Sequence, residues 1–198
     1  MKARTKNIYC LEIGDWFGSL KKKTSVEPIL QLLKESPLEV QYIHRDVATE
    51  EELHYYLRKW TQTRYRDYPI LYLAFHGSPG CIHLSKADGH GKTITTDDLF
   101  ALLNGRCHRR LIHFGACKVL DINGHTVNRY LNESGAVGIS GYAHNVDWVL
   151  SSIFELYYLA ALQDNQFTKS GMRAVEDRLH KRAGRLTKEL RFKMRVKR

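Results

Sequence analysis

ILYLAF, residues 70–75, is six apolar positions without a break, and it halts at His76-Gly77. An uninterrupted apolar run of this length marks a strand buried on both faces, the kind found inside parallel sheets. Pro69 stands at its start, where a strand tolerates the loss of a backbone donor. The stretch therefore predicts a central strand. A second run of the same build, RLIHFGAC at 110–117, ends in the small residues Gly115 and Ala116 and then Cys117.

Outward from these two strands the chain alternates two periodicities. The apolar run 8–13 ends at Gly14, a turn-like stretch covers 15–24, and Ile29, Leu32 and Leu33 make a helical stripe over 26–34. The alternating segment LEVQYIH predicts a strand at 38–44. A helix follows over 50–60, with Thr49 as cap and Leu53, Tyr56, Leu57 and Trp60 on one face. After Gly77, glycines and Pro79 around CIHL, with Thr93 and Ile94 beyond, predict a small hairpin before a helix at 96–103. A helix at 126–131, a short strand at 136–140 and a helix at 150–162 complete the pattern. Repeated strand and helix units imply an α/β fold with a mostly parallel central sheet, helices on both faces and right-handed crossovers.

A chain of 198 residues, 43% hydrophobic, builds one substantial core. No apolar run approaches the roughly eighteen residues of a membrane span, and the basic start meets Glu12 before a signal-peptide core could form. Cys10, Cys81, Cys107 and Cys117 show no CxxC spacing, which points to reduced thiols in a cytoplasm, with no disulfide framework, metal or cofactor. The net charge of +10 lies mostly in residues 169–198, where twelve Lys or Arg face three acids. Met172, Val175, Leu179, Leu186 and Leu190 recur there at helical spacing. This predicts a domain at 1–165 and a basic helical tail at 166–198, either packed on the body or offered to nucleic acid, an acidic surface or a regulatory protein.

Reactive groups in parallel sheets gather at the carboxyl ends of the strands. His76 follows one central strand and Cys117 follows the other, so neighbouring strands would hold an imidazole and a thiol at one edge. Such a pair suits covalent catalysis: the thiolate attacks a carbonyl, and His76 protonates the departing amine and then activates water.

The two blocks LYLAFHG (71–77) and LIHFGAC (111–117), with the His 41 positions before the Cys, resemble the His-Gly and Ala-Cys blocks of caspase, legumain and gingipain type peptidases. The HGSPG form is most similar to the bacterial CHAT domains. The resemblance implies a caspase-like three-layer sandwich over roughly residues 5–165 and a cysteine peptidase with His76 and Cys117 as its dyad. It also implies an oxyanion hole from the Gly77 and Cys117 amides and a protein or peptide substrate. GACKV replaces the QACRG of caspases, so aspartate specificity does not carry over. Metacaspases place an acid where this chain has Gly115.

In this superfamily, loops after the first and third strands and after the nucleophile build the specificity pocket. Asp15 and Asp147 are the acids expected at that edge, and a carboxylate there favours Lys or Arg before the cleaved bond. The alternative for each is local: Asp15 in a Gly-Asp turn, Asp147 as a helix cap. His76, His83 and His90, with His113 and Cys81, also admit a metal reading, which the scattering of a hairpin disfavours. An idle caspase-fold scaffold, a nucleic-acid or acidic-partner binding module and a thiol hydrolase of esters remain alternatives to the peptidase.

Overall fold

A computed structural model of the chain describes residues 5–14, 16, 17, 21, 24–84 and 91–197. Its elements run β1 (Ile8–Ile13), α1 (Glu27–Glu35), β2 (Tyr42–Val47), α2 (Glu50–Trp60), β3 (Ile70–Ala74), β4 (His76–Ser78), β5 (Cys81–His83), β6 (Thr93–Thr95) and α3 (Thr96–Leu103). They continue with β7 (Leu111–Phe114), α4 (Gly124–Ser134), β8 (Gly138–Tyr142), α5 (Trp148–Ala161), α6 (Lys169–Glu189) and β9 (Phe192–Val196). Six strands form the main sheet in the order β2-β1-β3-β7-β8-β9, parallel up to β8, with β9 antiparallel at the edge. β4, β5 and β6 make a separate small antiparallel sheet.

The alternation of strand side chains sorts the core into two layers. Tyr9, Leu11, Leu71, Leu73, Ile112 and Phe114 face α2, α3 and α4, whose Leu53, Trp60, Phe100 and Tyr130 close that side. Ile8, Cys10, Ile70 and Tyr72 face α1, α5 and α6 through Leu30, Phe154, Tyr158, Met172 and Val175. Burying a Leu or Phe in such a layer is worth about 2–3 kcal/mol. The result is an α/β protein with a mostly parallel central sheet and helices on both faces. α2 starts with a complete capping box: Thr49 accepts from the Glu52 amide and Glu52 returns the bond to the Thr49 amide. Among the described residues no helix is long and apolar enough to cross a membrane.

Two expectations give way. The strand placed at 38–44 forms at Tyr42–Val47, because Glu39 takes a left-handed φ of 52° and the pairing with β1 begins only at Ile8↔Tyr42. Val40 is buried all the same, in the lead-in to the strand. The division into a body of 1–165 and a helical tail of 166–198 is the second. α6 lays Met172, Val175 and Leu179 on the core, Arg191 turns left-handed at φ 45°, and β9 then enters the main sheet beside β8. In FKMRV the alternation of Phe192, Met194 and Val196 with Lys193 and Arg195 is a strand pattern. The basic composition around it conceals that pattern.

Candidate active site

β3 and β7 pair in parallel with Leu73 opposite Phe114. His76 and Cys117 are each the third residue beyond that pair, so they leave the sheet at the same level on adjacent strands. Their loops touch. A Cβ built on Gly77 would lie 2.5 Å from the Cys117 carbonyl oxygen and 3.2 Å from the Ala116 Cβ, an approach that only glycine permits. The Gly80 amide donates to the Val119 carbonyl at 3.2 Å and fastens the two loops further along.

The His76 ring is exposed, and its Nε2 lies 2.8 Å from the Trp16 carbonyl oxygen. A carbonyl only accepts, so Nε2 carries the proton and Nδ1 is the basic nitrogen. The Trp16 ring meets the His76 ring edge-on at 5.0 Å and the Trp148 ring at 4.8 Å. Trp16 is itself placed by Glu12, which is 1% exposed at the end of β1. The Glu12 carboxylate accepts from Trp16 Nε1 at 2.6 Å, Ser25 Oγ at 2.6 Å, the Val26 amide at 2.8 Å and His44 Nε2 at 2.6 Å. Burial pulls the His44 pKa down, but the hydrogen bond and charge of Glu12 outweigh it, and the net shift is upward.

Cys117 is partly exposed, and the Val146 amide donates to its Sγ at 3.4 Å. The next residue, Lys118, adopts a left-handed φ of 59°, a conformation that costs a non-glycine residue on the order of 1 kcal/mol and clusters at functional turns. Its amide donates to His144 O at 3.1 Å, and Lys193 of β9 donates from Nζ to Leu120 O at 3.0 Å. The Cys117 turn therefore rests partly on the C-terminal strand. Cys10 and Cys107 are buried: burial drives Cys10 well above the usual thiol range and pushes Cys107 up to about 12, so both stay protonated at neutral pH.

A buried polar cluster underlies the turn. Glu155 accepts from the Tyr72 hydroxyl and from Tyr142 OH at 3.1 Å. His113 Nδ1 pairs with Ser140 Oγ at 3.1 Å, and His113 Nε2 sits 3.5 Å from Glu155 Oε1. Burial and then the Glu155 charge push both tyrosines up, so they remain donors. Gly115 presses on this cluster: a Cβ there would collide with the Tyr72 ring and come 3.0 Å from Glu155 Oε1. The position two residues before Cys117 thus has room only for glycine.

The expected pocket acids fare differently. Asp147 is exposed and caps α5, its Oδ1 accepting from the Leu150 amide at 2.8 Å. Asp15 and His90 lie outside the described residues. His83 stands opposite His76 in the small sheet, with its ring nitrogens 2.9 Å from Thr93 Oγ1 and 3.0 Å from Ser78 Oγ, and His113 is buried in β7. Among the described residues the metal reading of these histidines assembles no ligand set. Glu12, His44 and Asp46 do bring ligand atoms within 4.8 Å of one another, but Glu12 is already occupied by four donors. Sequence reasoning missed Glu12, Trp16 and Val146. Glu12 did leave a signal, a lone acid in the otherwise apolar strand IYCLEI, which demands buried partners.

The arrangement defines an α/β protein with a thiol and an imidazole at the carboxyl edge of a parallel sheet. The chain belongs to the Family of unknown function (DUF6642), whose match covers residues 5–195. No curated protein matches the chain.

Proposed function

We propose that the protein is a cysteine peptidase of caspase-like fold, with Cys117 as nucleophile and His76 as acid and base. The observation that carries this reading is the matched level of the two residues on β3 and β7, with the Trp16 carbonyl fixing the His76 tautomer. Nδ1 takes the thiol proton, and the thiolate, held by the Val146 amide, attacks the scissile carbonyl carbon. The Cys117 amide donates to no acceptor among the described residues and is free to receive the developing oxyanion together with Gly77. His76 returns its proton to the leaving amine, which departs and leaves a thioester. Water, deprotonated by His76, then attacks the thioester and releases the acid and the thiol.

Lys or Arg is preferred before the cleaved bond, through the exposed Asp147 carboxylate and the ring faces of Trp16 and Trp148. The preference is modest, because the α5 N-terminus offsets part of the Asp147 charge. A peptidyl-arginine electrophile tests the reading. It should label the parent and the Cys81→Ala variant and leave Cys117→Ala and His76→Ala unlabelled. Labelling of a folded Cys117→Ala protein would refute it, and faster labelling by an aspartyl than by an arginyl electrophile would refute the specificity.

A further inference from the structure

At the opposite edge of the sheet, where the strands begin, a cavity of about 720 Å³ opens among Lys6, Arg66, Arg106, Arg109 and Arg110. Lys6 leads into β1 and Arg110 into β7, so the cavity lies roughly 20 Å from His76 along the strand direction. A volume of this size is that of a small-molecule site. Against five cations its lining offers a single carboxylate, Asp67, with Oδ1 4.0 Å from Arg66 Nε.

Two of these cations are buried without a carboxylate. Lys6, 7% exposed, donates from Nζ to the Gln163 carbonyl at 2.8 Å and lies 5.8 Å from the Phe167 ring centre. Arg110, 6% exposed, donates to Trp60 O at 2.6 Å and Gln62 O at 3.3 Å and stacks 4.7 Å over the Trp60 ring. Neither forms an ion pair among the described residues. Asp164, the acid nearest in effect to Lys6, is paired with Arg178. Desolvation lowers the pKa of both groups. A buried cation without a counter-ion is costly to hold, and five cations around one concave space create a field that a single carboxylate ligand would not neutralise. Linked phosphates match it in charge, and arginine forks match their oxygens in geometry.

We propose that this cavity binds a small ligand carrying two or more linked phosphates, supplied either as a nucleoside polyphosphate or as short inorganic polyphosphate. The site makes no use of His76 or Cys117, so it stands independently of the peptidase reading. Its test is calorimetry on the full chain at 150 mM KCl with sodium tripolyphosphate and with ATP. Arg66→Glu/Arg106→Glu, both exposed in the parent, should weaken binding at least tenfold, and the milder Arg106→Ala should weaken it less. Lys181→Glu/Arg185→Glu on α6 makes the same change in net charge and should leave binding within twofold. Tighter ATP than tripolyphosphate would identify the nucleoside source, and the reverse order the inorganic one. No heat with either probe at 1 mM, equal losses in the two charge-reversal variants, or tighter binding of a single-stranded oligonucleotide at equal phosphate concentration would overturn the proposal.

Discussion

The Nε2 of His76 donates to the carbonyl oxygen of Trp16 across 2.8 Å, while the indole of the same Trp16 donates to Glu12 across 2.6 Å. A buried carboxylate thus governs the tautomer of an exposed imidazole through one tryptophan. Glu12→Gln keeps the size of the side chain but turns one acceptor into a donor that faces donors. The expected result is a loss of about 1–3 kcal/mol in urea unfolding. The proposed peptidase should also lose about 10- to 100-fold in kcat and raise its KM, because Trp16 both holds His76 and lends its ring to the substrate pocket. An unchanged kcat with reduced stability would confine Glu12 to a structural role.

The Glu12–His44 pair makes stability depend on pH. The folded pKa of His44 is raised, so its contribution is complete below an unfolded value of roughly 6.5 and is lost as pH rises through the folded pKa. The parent should therefore lose urea midpoint as the pH rises above about 6.5, and His44→Gln should flatten that slope. Equal slopes in the two proteins would exclude the pair as the source.

Glycines 77 and 115 are predicted to fail differently. Gly77→Ala sets a methyl against the Cys117 carbonyl, so it should abolish labelling of Cys117 even where the protein still folds. Gly115→Ala strikes the buried Tyr72 ring and crowds Glu155, and should cost about 1–3 kcal/mol of stability. Circular dichroism melts alongside electrophile labelling separate the two effects.

Removing residues 192–198 should destroy the fold, not merely trim it. β9 covers β8, whose five residues are all buried, and Phe192 packs 4.7 Å from Phe154 and 5.1 Å from Tyr158. Loss of β9 also removes the Lys193 bond to the Cys117 turn. The truncated chain should aggregate through its bare strand edge, read as loss of the monomer in size-exclusion chromatography. A soluble truncation that still labels at Cys117 would show that the turn holds without β9.

The sequence by itself determined most of the secondary structure, because periodicity and caps are local properties. α2 runs over the span read from Leu53, Trp60 and the capping Thr49, α3 over the expected 96–103, and the two apolar runs became β3 and β7. It also singled out His76 and Cys117, since each closes an apolar strand. Tertiary structure alone decided the rest. The start of β2 depends on pairing with Ile8, and β9 on the space beside β8, neither of which is encoded within its own segment. The support of His76 joins Glu12, Trp16 and His76 across a loop and two strands, and the basic cavity joins residues as distant as Lys6 and Phe167. Charge and hydrogen bonding act through space, so these relations exist only once the strands have been laid side by side.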